Sequence, residues 1–435
     1  MIDFKKIMKS VLDSIGKVVK YFKMNFKDSA YGMANLAVAS LDGFFLSILL
    51  VRYLSSEDFG DYKLFFSVLS IMIILSINGL GTSVTKAVAK RFKGFFKKAV
   101  IVSALFSLIA SAVLIILAFS YYRGSGIRWP LIFAGLVVPF YYGLNTWEPY
   151  YYGERRFKTV FLLNLLMGGT RFLSCALVLY FYRNYFYTII AYLLVVSIYN
   201  IIFFLWIIKR IKPEKIDKEK EKDYLKHGFK LTGSSAVSNI ATNIERIILD
   251  SVSNAAMVGI YSIVHVFPQF IKNSLKTLVN VPTVKLAAHP EADNRRIVRK
   301  GLAYIFLFGL AVFAIFWFLT PILLRFFFKI DNIDLVREGV VGALDMIRYG
   351  RMLLIPLIFM PVNLTIKYLA SYQGSGSSVL KLYTTMDVMK LALLAVFVPL
   401  YKIDGIIIAL ILAEFISFII LLTWFFRSNR RFETG

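Results

Sequence analysis

Five polar residues, Ser235, Asn239, Thr242, Arg246 and Asp250, recur at spacings of three and four in a stretch otherwise built from Val237, Ile240, Ile244, Ile247 and Ile248. On a helix that spacing draws one polar stripe along an aliphatic cylinder. The next apolar stretch repeats the pattern with His265, Gln269, Lys272 and Lys276. The chemistry these side chains offer is non-covalent anion binding. An Arg guanidinium grips a phosphate through two parallel N–H donors, and a Lys ammonium is a movable point charge. Arg171 and Lys390, in other apolar stretches, extend the cationic bias. An interior lined this way suits a phosphate-bearing ligand and repels an organic cation. A purely structural alternative is an Arg246–Asp250 ion pair that fastens helices together.

The acids are fewer and more isolated. Asp42 follows Asn35 by seven residues, Asn164 and Arg171 have the same spacing, Asp387 precedes Lys390, and Glu414 stands alone in its stretch. A carboxyl held in apolar surroundings favours its protonated form, so Asp42, Asp250 and Glu414 are the candidate carriers of a coupling proton or sodium ion. A Glu414–Lys390 pair is the competing expectation. With three histidines and the single Cys175, the chain offers no metal centre, no intramolecular disulfide and no motif for a cofactor.

Twelve hydrophobic segments position these residues between about Asp28 and Arg427. A bilayer-spanning helix needs roughly 20 mostly apolar residues. The stretches 62–80, 99–120, 130–150, 186–208, 301–325 and 403–426 meet that requirement, and a composition 58% hydrophobic exceeds the need of any soluble core. The fold class is therefore an all-α polytopic membrane protein. Polar groups inside such segments are expensive and mark function. Pro139, Pro356 and Pro361 allow the bending that transport uses.

The net charge of +25 is topological rather than a nucleic-acid footprint. Hairpins joining odd to even segments carry only scattered cations such as Arg52, Arg123, Arg128, Arg183 and Lys402. The other side collects Lys86, Lys90, Arg91, Lys93, Lys97 and Lys98, then Arg155, Arg156 and Lys158, the linker, and Arg295, Arg296, Arg299 and Lys300. By the positive-inside rule both termini are expected in the cytoplasm of a multi-pass plasma-membrane protein. Residues 1–27 read as a retained basic segment, with Ile7, Val11, Ile15, Val18 and Phe22 on one face of a surface helix.

The charged run 209–230 divides the chain into two six-helix halves, 28–208 and 231–427, leaving 428–435 as a tail. A weak repeat supports this division. Ser40-Leu41-Asp42-Gly43 parallels Asn243-Ile244-Glu245-Arg246, and Phe59-Gly60-Asp61-Tyr62 parallels Val258-Gly259-Ile260-Tyr261. Parallel repeats about an axis along the membrane normal place a ligand site between the halves.

The run Arg52-Tyr53-Leu54-Ser55-Ser56-Glu57-Asp58-Phe59-Gly60-Asp61-Tyr62 resembles the hairpin of polysaccharide and lipid-linked oligosaccharide flippases of the multidrug/oligosaccharidyl-lipid/polysaccharide exporter superfamily. Asn78-Gly79-Leu80-Gly81, Val258-Gly259-Ile260-Tyr261 and Pro282-Thr283-Val284-Lys285-Leu286 extend the likeness. The resemblance implies a monomeric, non-enzymatic flippase that carries a glycan on a polyprenyl phosphate or pyrophosphate between leaflets by alternating access. It makes Arg246, Lys272 and Lys276 the nearest counterparts of the family's phosphate-binding cavity cations. Asp42 stands where lipid II flippases carry a cation, which argues against that substrate. The alternatives are a multidrug-cation antiporter of the same superfamily, which would need an acidic cavity, and a membrane-embedded polymerase or glycosyltransferase, which would need a long outer loop. A non-transporting scaffold would leave the charged stripes without a role.

Overall fold

The computed structural model describes residues 31–433 apart from 33, 212–216, 287–290 and 374–375, and leaves undescribed the side chains of 277, 280–297, 300, 372–378 and 428–433. The basic segment 1–27 therefore falls outside the described residues, and of the tail the backbone of 428–433 continues the last helix. The described chain is helical and folds into twelve segments placed as bilayer spans. In order the spans are α1 (Ala34–Tyr53), α2 (Ser56–Met72, resuming as Leu80–Ala89), α3 (Phe95–Phe119) and α4 (Arg128–Val138, resuming as Trp147–Gly153). Then come α5 (Phe157–Tyr182), α6 (Tyr185–Ile208), α7 (Lys218–Val252) and α8 (Ala255–Leu286). The last four are α9 (Glu291–Leu323), α10 (Ala343–Met352, resuming as Pro356–Gln373), α11 (376–401) and α12 (403–433).

Nine helices among the described residues are long and apolar enough to span unbroken, and one of those is α11 and α12 fused across a kink at Lys402. The two spans that escape this measure are instructive. Polar residues lower the apolar character of α7, and α4 is broken in the middle.

The sequence suggests unbroken helices over 62–80 and 130–150, and the structure corrects both. The second helix begins at Ser56, capped by Ser55, and breaks where Ile77 turns left-handed at φ 53°. Gly79 lies in that break, and its N–H donates to Thr232 Oγ1 of α7 at 3.0 Å. A Cβ at Gly79 would fall 2.3 Å from the Gly228 carbonyl oxygen, so only glycine fits there. In α4, Pro139 opens a π-helical turn. Within that turn the carbonyls of Phe140 and Tyr141 accept from Asn200 Nδ2 at 3.3 and 2.9 Å. Broken backbone survives at membrane depth only when another helix satisfies it in this way.

The halves meet chiefly where α2 packs along α8. Two repeat-related glycines make the closest approach. A Cβ at Gly60 would lie 1.7 Å from the Ala255 carbonyl oxygen, and one at Gly259 would lie 1.9 Å from that of Ser56. The contact is reinforced by the Ser56 hydroxyl and N–H, both bonded to Asp334 of the loop before α10. The halves thus touch at the face opposite the basic one, and α2 meets α7 again beyond its break, at Gly79 and along Leu80–Ala89. Phe44 of α1 completes the seam, edge-on to Phe267 at 5.3 Å and to Phe327 at 5.7 Å.

Candidate functional site

A cavity of about 230 Å³ lies between α1, α2, α7 and α8, with Ser47, Lys63, Arg246, Ser262, His265 and Gln269 in its lining. It collects three of the stripe residues, Arg246, His265 and Gln269, and adds Lys63 from the opposite half. The Arg246 guanidinium donates to Ser262 Oγ at 3.2 Å and Ser67 Oγ at 3.4 Å, and lies 3.4 Å from His265 Nδ1. Its partners are two hydroxyls and an imidazole. Among the described residues no carboxylate comes within 4 Å of it, and the Arg246–Asp250 pair does not form. Lys63 donates to Ser47 Oγ at 2.9 Å and sits 5.1 Å from the Phe59 ring, again with no carboxylate partner. Two basic side chains from different halves thus face one cavity, and among the described residues neither has a carboxylate within ion-pair distance. Ser67 joins their surroundings, since its hydroxyl bonds back to the Lys63 carbonyl at 3.0 Å.

Other expected site residues have different partners. Asn239 donates to the Ser70 carbonyl at 3.0 Å and so ties α7 to α2 just before the break. Asp42 and Arg171 form an ion pair between α1 and α5, with the guanidinium stacked 4.7 Å from the Tyr192 ring. Lys390 does not reach for Glu414; it lies 3.8 Å from Glu245, while Asn363 Nδ2 donates to Glu414 Oε1 at 2.7 Å. Lys272 and Glu414 line a separate small cavity of about 40 Å³ beside Pro356 and His265. Lys276, one turn farther along, is exposed, and Asp250 makes no ion pair among the described residues.

The residue the stripes do not reveal is Glu245. It is 2% exposed, accepts from Tyr261 Oη at 2.9 Å, and has His265 Nδ1 at 3.9 Å in addition to Lys390. Its position next to Arg246 turns it about 100° off the polar stripe, into the body of its own half. The signal was present in the repeat, which aligns Glu245 with Asp42 and Tyr261 with Tyr62. Lys63 had a weaker signal, because it opens an apolar stretch where a cation looks like a flanking charge. A second buried network lies nearer the basic face: Glu148 accepts from Asn35, Asn164 and Tyr152 at 3.1, 3.2 and 3.0 Å. Among the described residues no group of His, Cys, Asp and Glu is arranged to hold a metal ion.

Twelve spans in two halves around a cavity, with broken helices at its walls, define a multi-pass membrane fold. Solved structures share the arrangement. An inward-facing multidrug-resistance MATE transporter of the MOP superfamily matches with TM-score 0.66 at 16% identity, covering 94% of this chain and 96% of that one. The lipid II flippase MurJ in an inward closed conformation matches with TM-score 0.66 at 16% identity, over 91% of this chain and 87% of that one. A MOP superfamily transporter from Pyrococcus furiosus, described as having a binding pocket of reverse polarity, gives TM-score 0.59 at 19% identity over 91% and 94%. The chain belongs to the polysaccharide biosynthesis protein family, whose model matches residues 28–284. No curated protein sequence matches it.

Proposed function

We propose that this protein moves an oligosaccharide linked to a polyprenyl phosphate or pyrophosphate from the cytoplasmic to the outer leaflet, with the basic face and both termini in the cytoplasm. The carrying observation is the pair Lys63 and Arg246, one from each half, with no carboxylate partner at one cavity. A cation held at mid-membrane costs roughly 2.5–3.5 kcal/mol on insertion scales, and an anionic ligand would offset that cost in both halves at once. Family membership and the MurJ likeness support a lipid-linked substrate, and the pocket of reverse polarity in the archaeal relative is a precedent for a MOP cavity of altered charge.

The same arrangement disfavours a multidrug-cation antiporter. The two deep carboxylates on the first helix of each half, Asp42 and Glu245, are already taken by Arg171 and Lys390. A cationic drug would meet Lys63 and Arg246 instead. Lys272, Lys276 and Gln269 extend the proposed path toward the basic face, and Arg171, Asn239 and Lys390 hold its walls. Asp250, without an ion-pair partner, is the first acid to examine for proton or sodium coupling, ahead of Asp42 and Glu414. Alternating access then requires the Gly60–Gly259 contact to part, with ligand binding that differs between the two states driving the exchange.

The test is binding of the purified protein to a polyprenyl-pyrophosphate-linked glycan, to the same lipid without phosphates, and the same pair with Arg246→Ala. A charge-assisted hydrogen bond contributes about 1.5–3 kcal/mol, so the variant should bind the phosphorylated lipid roughly 10- to 150-fold more weakly. Equal affinity for both lipids, unchanged in the variant, would overturn the proposal.

A further inference from the structure

On the basic face, a cavity of about 630 Å³ opens between the end of α2 and the first turns of α7. Lys86, Lys90 and Arg91 form one wall, and Phe92 and Tyr224 form an aromatic side with Asp223 as the single acid. We propose that this cavity binds the phosphate headgroup of an anionic membrane lipid, clamped between α2 and the linker end of α7.

Three features distinguish it from an ordinary basic surface. The first is unspent charge. Neighbouring Lys93 is paired with Glu154 at 2.6 Å, and Lys220 at the cavity edge with Asp217 at 2.7 Å. Lys86, Lys90 and Arg91 have no ion-pair partner among the described residues. His227, which also lines the cavity, titrates below its ordinary range because it is partly buried and because Lys86 and Lys230 stand nearby, so the local field is positive.

The second feature is backbone placement. Arg91 is left-handed at φ 65°, closing the end of α2 through Arg91 N–H to the Val88 carbonyl and Phe92 N–H to the Ala87 carbonyl, both 2.9 Å. This is the helix-ending position that glycine usually takes, and a side-chain-bearing residue there is strained. A positive φ recurs at Arg155, Arg183, Lys329 and Lys402, and at Arg91 it places the side chain in the cavity wall. The third feature is depth. The α2 helix ends at Ala89 and α3 begins at Phe95, so the cavity sits level with the span ends, where headgroups lie. Phe92 and Tyr224 stack at 6.2 Å and Phe95 adds a ring 5.3 Å from Tyr224, giving the amphipathic wall usual at that depth. Basic pockets between spans at this level recognise acidic headgroups.

Native mass spectrometry of the full chain with phosphatidylglycerol or phosphatidylcholine at equal concentration tests this. The wild type should retain phosphatidylglycerol preferentially. The double variant Lys86→Gln/Arg91→Gln, at two exposed positions, should weaken that retention about 25-fold, or roughly fivefold per cation. Lys97→Gln/Lys98→Gln, nearby on the same face and outside the cavity lining, should leave it unchanged. No preference for phosphatidylglycerol, or equal loss in both double variants, would overturn the site. Displacement by inorganic pyrophosphate without any lipid preference would assign the cavity to a soluble anion and overturn the lipid.

Discussion

The two halves solve the same problem with different groups. In the N-terminal half Asp42 on α1 meets Arg171 on α5, with Tyr192 stacked on the guanidinium. In the C-terminal half the repeat-equivalent Glu245 on α7 meets Lys390 on α11, with Tyr261 and His265 completing its surroundings. Each pair fastens the first helix of a half to the fifth. The Asp42–Arg171 side chains stay 11% and 16% exposed and form a single close contact, whereas Glu245 is 3% exposed at the side chain and shared among several donors. The difference teaches that the deep acids here are structural anchors within each half, while Lys63 and Arg246 between the halves have no carboxylate within 4 Å among the described residues.

The comparison can be broken from either side. The largest effect is expected for Lys390→Met, which strands the more deeply buried carboxylate. Removing one partner of a buried pair costs about 3–5 kcal/mol, seen as a lowered melting temperature in detergent, and adding Glu245→Gln should recover most of the loss. Next come Gly60→Val and Gly259→Val. Forcing a side chain into either close contact should disfavour the closed end by about 1–3 kcal/mol, read as increased labelling of a cysteine placed on that seam. Equal shifts from the two variants would support a symmetric contact. Arg171→Met should destabilise about half as much as Lys390→Met, because Asp42 keeps more access to water. The smallest effect is for Tyr261→Phe, which removes one of several donors to Glu245 and should cost about 1 kcal/mol.

Much of this organisation was legible in the residues. Length and apolar character gave the spans, and the three- and four-residue spacing along α7 and α8 pointed to Arg246 and Gln269, which the structure brings to one cavity. What stayed hidden depended on backbone irregularity and on which neighbour a side chain meets. The break at Ile77 has no proline to announce it; it becomes readable only when Thr232 of a distant helix caps Gly79. Periodicity placed Arg246 and Asp250 on one stripe, yet the guanidinium turns to Ser67 and Ser262 of other helices. Likewise the sequence offered Glu414 as the partner of Lys390, and packing chose Glu245 instead.

The most direct test of convergence on one anion is a double-mutant cycle with Lys63→Ala and Arg246→Ala, read by affinity for the polyprenyl-pyrophosphate-linked glycan. If both cations grip the same phosphate group, their effects will be non-additive by about 1 kcal/mol or more, and binding in each single variant will lose its dependence on phosphate in part. Strictly additive losses, or a wild-type affinity indifferent to phosphate, would contradict a shared anion between the halves.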